Sequence, residues 1–233
     1  MKTTCKILVI ILFFGFFSCK KNDNELEKVN YEIGWFPVSP KNIENLNTQY
    51  DDYNSDINVT GYSIDFYYST NKDSEGDNFD ISSRSIGAYV NRDNDAFEFI
   101  VSNAEPNFAY KLLPMINTPH NEYGPFSFYS DSAVNSYTTW YFLYANNESG
   151  NFDIQFAYTS VGDWGHYQST NEIHGPYKAN VLNSKYDDYY PTISVDYSKI
   201  YFSSNREGNY DIYANDVDSK NIVEWLKSGK EVA

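Results

Sequence analysis

Asn183-Ser184-Lys185-Tyr186-Asp187-Asp188-Tyr189 is the third occurrence of one phrase in this 233-residue chain. The first is Asn47-Thr48-Gln49-Tyr50-Asp51-Asp52-Tyr53; the second, less well kept, is Asn117-Thr118-Pro119-His120-Asn121-Glu122-Tyr123. About thirty residues after each stands an aromatic-Asp-Ile triplet: Phe79-Asp80-Ile81, Phe152-Asp153-Ile154 and Tyr210-Asp211-Ile212. A period near 70 residues, met three times, marks a repeat architecture, in which one unit cannot bury its apolar faces alone.

Within the repeat the pattern is β. In the last copy residues 191–195 read as a short strand and Asp196-Tyr197-Ser198 as a turn. Residues 199–204 then alternate, with Ile200 and Phe202 on one face and Tyr201 and Ser203 on the other. The loop 205–209 closes a hairpin, with Gly208 free to take a positive φ. Residues 210–214 make the third strand, and 222–226 read as a fourth. The same order runs through 62–69, 71–78 and 79–82, and again through 140–144, 146–151 and 152–156. Residues 96–101 and 178–182 are expected as outer strands. Four antiparallel strands per repeat, apolar on both faces of the inner ones, is the unit of a propeller blade packed between neighbours. The expected fold is therefore all-β, a partial or truncated β-propeller with about three blades of four antiparallel strands. Three blades without ring closure would expose apolar strand surface at each end, so the expectation is either a piece of a longer protein or self-association through the terminal blades.

The first residues read as an export signal. Lys2 and Lys6 precede an apolar run from Ile7 to Phe17, too short to span a bilayer as a helix, and Ser18 precedes Cys19. Phe16-Phe17-Ser18-Cys19 resembles the lipobox of bacterial lipoproteins, which implies cleavage before Cys19 and lipidation of its thiol. The expected domains are a signal peptide at 1–18, a tether at 19–30 and the repeat domain at 31–233. Lys20-Lys21-Asn22-Asp23 resembles the tails that send lipoproteins of Bacteroidetes-like bacteria to the cell surface, so an outer-membrane location follows, with the lipid on Cys19 as the membrane contact.

Cys5 and Cys19 are the only cysteines, and the reading uses up both. No thiol then remains for disulfides, Cys-ligated metals or nucleophilic catalysis. Without Lys2 and Lys6 the chain carries 15 basic against 32 acidic residues. Such a field repels phosphate backbones, which excludes nucleic acid as a partner.

Three segments of the last copy carry a family resemblance: Tyr190-Pro191-Thr192-Ile193-Ser194, Ile200-Tyr201-Phe202-Ser203-Ser204-Asn205-Arg206 and Gly208-Asn209-Tyr210-Asp211-Ile212-Tyr213. Together they resemble the TolB-type, WD-repeat-like β-propeller repeat. The resemblance covers 183–213 best, 47–81 less well and 117–154 least. The family's usual Asp-Gly turn is Asp196-Tyr197 here, and the family closes its ring with six blades.

The chemistry the residues offer is sparse. Asp80, Asp153 and Asp211 recur in a strand setting where Asp is disfavoured, and a structural role at the hairpin, accepting backbone N–H bonds, is expected. Asp51-Asp52, Glu122 and Asp187-Asp188 could supply oxygen ligands for calcium, as could the loop Asp73-Ser74-Glu75-Gly76-Asp77, but none has the spacing of an EF-hand. His120, His166 and His174 stand in no zinc motif. No nucleophile elbow or phosphate loop is present, so no catalytic residue is assigned. Asp131-Ser132-Ala133 resembles a short acceptor for bacterial surface O-glycosylation.

In an antiparallel four-stranded blade, the loop before the first strand and the loop joining the second to the third open on one face. Tyr50, Asp51, Asp52, Tyr53, Glu122, Tyr123, Tyr186, Asp187, Asp188 and Tyr189 come from the first kind of loop, Asn205 and Arg206 from the second. Their convergence makes that face the expected binding surface for a protein or glycan of the cell envelope, without catalysis and without a cofactor. The alternatives are an envelope hydrolase acting on glycan or peptide, and a structural spacer.

Overall fold

The computed structural model describes residues 40–229, apart from 41, 44, 61–62, 92–95, 103–104, 107, 132–137, 162–171 and 219. They fall in one compact unit, Trp35–Ala233. The export signal, Cys19, the tether, the start of the repeat domain, His166 and Ser132-Ala133 lie outside the described residues.

The all-β expectation holds. Three antiparallel sheets follow one another along the chain. The first is β1 (Asp52–Thr60), β2 (Ser63–Thr70), β3 (Asp80–Asn91) and β4 (Ala96–Ser102), in that spatial order. The second is β5 (Glu122–Asp131), β6 (Thr138–Asn146), β7 (Asp153–Val161) and β8 (His174–Lys178), again in order. The third has β9 (Asp188–Ile193), β10 (Lys199–Ser204) and β11 (Asp211–Asp216), with β10 central. The first strand of each sheet opens on the sixth residue of the repeated phrase: Asp52, Glu122, Asp188. The third strand of each opens on the Asp of the triplet: Asp80, Asp153, Asp211.

Three expectations are corrected. Residues 222–226 form no fourth strand: Ile222–Lys227 is a helix, α2, after an eight-residue helix α1, Ala109–Ile116. The Asn221 side chain caps α2 by accepting the Glu224 N–H, and Ile222 and Leu226, one turn apart, are both buried. The outer strand expected at 178–182 is instead His174–Lys178, and 180–182 turn. The strand expected to run to Val195 stops at Ile193, and Val195 is exposed in the turn. In that turn Tyr197 takes φ 58°, the conformation glycine would favour, while the Asp196 carboxylate accepts from Ser194 and Ser198 and is held down to about 2.

Burial follows from the succession of sheets. Residues 140–146 of β6 are buried on both faces because the second sheet has a neighbour on each side. Trp140, Phe142 and Tyr144 meet Tyr67 and Ile81 of the first sheet, with Leu112 and Ile116 of α1 completing that layer. Tyr141, Leu143, Ile154 and Phe156 meet Ile200 and Phe202 of the third, with Ile222 and Leu226 of α2. Among the described residues the third sheet is covered on one face: along β10, Ile200, Phe202 and Ser204 are buried while Lys199 and Tyr201 are exposed.

The first strands of the three sheets share a feature that residue type conceals. Two positions into each, Asn54, Gly124 and Tyr190 take φ 55°, 60° and 58°, and the pairing of β1, β5 and β9 with the next strand slips there. These are β-bulges, which bend a strand and turn its side chains. A Cβ on Gly124 would stand 2.5 Å from the Tyr190 ring and 3.2 Å from its Cα, so only glycine admits that approach. Further along, Asp56 of β1 accepts both the N–H (2.9 Å) and the hydroxyl (2.5 Å) of Ser127 on β5.

Candidate functional site

The repeated phrase and the triplet are two halves of one joint. Asn117 accepts the Ile81 N–H at 3.0 Å and donates to the Ile81 carbonyl at 3.0 Å, imitating with its amide the edge of a strand. Asn183 does the same to Ile154 at 2.7 and 2.9 Å. The fifth residue of the phrase accepts the N–H of the triplet aromatic: Asn121 from Phe79 (3.1 Å) and Asp187 from Phe152 (3.0 Å). The sixth donates its own N–H back to that aromatic's carbonyl: Glu122 to Phe79 and Asp188 to Phe152, both 2.7 Å. The Asn before the triplet adds a fifth bond, Asn78 to the Pro119 carbonyl (3.2 Å) and Asn151 to that of Tyr186 (2.8 Å). An Asn-aromatic-Asp-Ile socket on one sheet thus receives an Asn-Ser/Thr plug from the next. Every outward backbone group of the socket is paired, as buried edges require.

The plug is held in shape by its own side chains. Asp52 accepts the N–H and hydroxyl of Thr48 (2.6 and 2.9 Å), and Asp188 those of Ser184 (2.6 and 2.8 Å). Glu122, one methylene longer, takes Thr118 Oγ1 at 2.7 Å and Asn146 Nδ2 at 2.5 Å. The hairpin loop latches onto the plug in all three sheets: Asn71, Asn147 and Asn205 accept the N–H of Asp51, Asn121 and Asp187, each at 2.9 Å. Phrase and hairpin loop therefore open at the same end of every sheet, as the strand order implied.

Much of the charge on this face is engaged internally. Arg206 lies over the rings of Phe202 (5.1 Å) and Tyr213 (4.7 Å), and its Nη2 donates to Asp188 Oδ1 (2.6 Å) and the Leu182 carbonyl (2.9 Å). The second Asp187 oxygen accepts from Asn205 Nδ2 (3.1 Å) and the Tyr210 hydroxyl (2.9 Å). Asp153 accepts from Ser149 Oγ and Lys178 Nζ, side-chain donors in place of the expected backbone N–H groups. Asp211 is exposed.

The carboxyl of Asp80 is raised by burial and by the charge of Asp73, against a lowering contribution from Glu122. Glu122 is fully buried, and burial pushes its carboxyl up to about 7 against the lowering bonds from Thr118 and Asn146. Its Oε2 meets no donor among the described residues. The charge of Asp80 adds to the rise of Glu122. Glu122 lies within the joint between the first two sheets, its N–H on the Phe79 carbonyl.

What the face leaves open is aromatic. Tyr53, Phe79, Tyr123, Phe152, Tyr189 and Tyr210 form a ladder across all three sheets, with successive ring centroids 5.0, 5.1, 5.0, 5.5 and 5.4 Å apart. It alternates the last residue of the phrase with the aromatic of the triplet. The four inner rings are half-buried; the two ends, Tyr53 and Tyr210, are exposed, as are Tyr186 and Asp51, with Tyr50 partly so. Burial is the first cause raising the phenols of Tyr53 and Tyr189, followed by the hydrogen bonds with Tyr123 and Tyr210. Among the described residues no three acidic, His or Cys side chains converge to hold a metal ion. His174 instead packs its ring on Tyr158 (5.1 Å). The phrase and the triplet were each legible in the sequence; that their rings interleave was not. The chain matches no family model and no curated protein.

Proposed function

We propose that the three sheets are consecutive blades of a TolB-like β-propeller, carried on a lipid-anchored protein of the bacterial cell envelope, and that the face bearing the phrases binds a glycan or an extended peptide without catalysis. The aromatic ladder carries this reading. Flat rings with exposed ends, flanked by Asp51, Lys185 and Tyr186, suit the apolar faces and hydroxyls of a sugar or the spaced side chains of a strand-like peptide. The succession of similar sheets, each opening its phrase and hairpin loop at one end, supports the blade assignment. The leader and Cys19 support the anchor.

The test uses a panel of envelope oligosaccharides and peptides against the wild type and a Tyr53→Ala, Tyr210→Ala double variant. Retention of one ligand class by the wild type, weakened at least tenfold in a variant with an unchanged circular dichroism spectrum, is the expected result. Binding that survives loss of both ladder ends would place the surface elsewhere. Absence of any ligand in the panel, together with cleavage of a panel member, would favour the hydrolase.

A further inference from the structure

Among the described residues the joint between sheets is made twice, and one further plug and one further socket stand unengaged. Tyr210 and Ile212 occupy the register of Phe79 and Ile81, and of Phe152 and Ile154: Ile81 faces Ser69, Ile154 faces Ala145, Ile212 faces Ser203. Ile81 and Ile154 are 1% and 0% exposed beneath the next plug; Ile212 is 79% exposed and Tyr210 55%. Asn209, Tyr210 and Ile212 thus form a complete socket that no plug meets among the described residues. At the other end Asn47 to Tyr53 form a plug that no socket meets among the described residues. Apart from Asn47, whose Nδ2 donates to Asn42 Oδ1, it is already shaped for one. The Asp52 bonds to Thr48, the Tyr50 N–H to Thr48 Oγ1 (3.1 Å) and the Asp51 N–H to Asn71 all repeat the geometry of the two engaged plugs. Leu46 lies buried on the first sheet, just as Ile116 and Leu182 lie before the other two plugs.

The geometry points to head-to-tail pairing of two copies of this chain, the plug 47–53 of one seating in the socket 209–212 of the other. The contact is heterologous, joining different surfaces, so two copies can close on each other only if both joints form together. The inference rests on the joints and shares two rings with the aromatic face: by analogy with Phe79 on Tyr123 and Phe152 on Tyr189, pairing brings Tyr210 of one copy against Tyr53 of the other. An incoming plug adds five hydrogen bonds to groups that the third sheet otherwise leaves to water, and covers Ile212.

The experiment co-expresses two full-length single variants with different tags, Gln49→Cys and Asn209→Cys, and treats them with a short thiol crosslinker. Residues 49 and 209 flank the joint, since the equivalent Pro119 carbonyl accepts from Asn78. A 49-to-209 crosslink between differently tagged chains, identified by its junction peptide, is expected, with no 49-to-49 or 209-to-209 product. Native mass in detergent should give twice the chain mass for wild type at tens of micromolar. Asn47→Ala and Ile212→Arg, one at each end, should each weaken the association at least tenfold while keeping the wild-type circular dichroism; Ile212→Ser is the milder replacement if Arg disturbs folding. Monomeric wild type, like-to-like crosslinks, or association unaffected by both end variants would each overturn the pairing.

Discussion

Asn183 grips Ile154 by both faces of its peptide, accepting the N–H at 2.7 Å and donating to the carbonyl at 2.9 Å. The same amide recurs at Asn117 on Ile81 and stands without such a partner among the described residues at Asn47, whose Nδ2 turns to Asn42. Three chemically identical residues thus sit in two structural situations.

Asn117→Ala and Asn183→Ala should each cost about 2–4 kcal/mol, because each strands one buried backbone donor and one acceptor. Asn47→Ala should stay within about 0.5 kcal/mol in the monomer. Chemical denaturation of the three variants at low protein concentration checks this. Equal costs at all three positions would show that the Asn acts inside its own loop and not across the joint.

Arg206→Ala should cost about 3–5 kcal/mol by leaving the fully buried Asp188 carboxylate without its cation. Arg206→Lys should recover little, since a point charge cannot reach Asp188 and the Leu182 carbonyl while lying over two rings. Thermal melts decide; a variant melting with wild type would free Arg206 for a role at the surface.

Stability should fall as pH rises from about 4 to about 7. Burial raises Asp56 to about 6 and Glu122 to about 7, so the folded chain holds protons that the unfolded chain has released in that range. Stability from such groups is fully present below their unfolded values and is lost as pH rises through the folded ones. The lowered Asp196 acts in the opposite sense, but only toward pH 2. A thermal midpoint about 5 °C or more higher at pH 5 than at pH 8 is expected, with Glu122→Gln flattening part of the fall. A midpoint rising from pH 5 to pH 8 would contradict the burial of Asp56 and Glu122 as the source of their raised carboxyls.

Gly124→Ala should cost at least about 2 kcal/mol, combining a left-handed backbone with a clash against Tyr190. Gly150→Ala, also at positive φ but with open space around its Cβ position, should cost less. Equal losses would mean that backbone conformation alone, and not the meeting of β5 with β9, fixes the glycine.

The sequence carried the joints more openly than the fold's details. Asn47, Asn117 and Asn183 and the three triplets could be read because hydrogen bonds across a joint demand the same side chain each time. The bulges could not, since Asn54, Gly124 and Tyr190 meet one backbone demand with three unrelated residues. Ile222 and Val223 read as strand by their β-branching, and only the Asn221 cap and the burial of Ile222 with Leu226 make them helical. In α1, Pro114 reads as a breaker, yet Ala109, Leu112 and Ile116 fill the layer between the first two sheets. At the site, the aromatic positions were visible and their exposure was not. Which of Asp51, Asp52, Asp187 and Asp188 face solvent depends on partners, such as Arg206 and Asn205, that lie 18 residues or more away.

The most direct test of the sheet-to-sheet joint is amide hydrogen exchange at six equivalent sites, measured at a concentration low enough to hold the chain monomeric. Phe79, Ile81, Phe152 and Ile154 should exchange only with opening of the joints, orders of magnitude more slowly than Tyr210 and Ile212. Protection of Tyr210 and Ile212 equal to that of the other four in the monomer, or fast exchange at Ile81 and Ile154, would contradict the account.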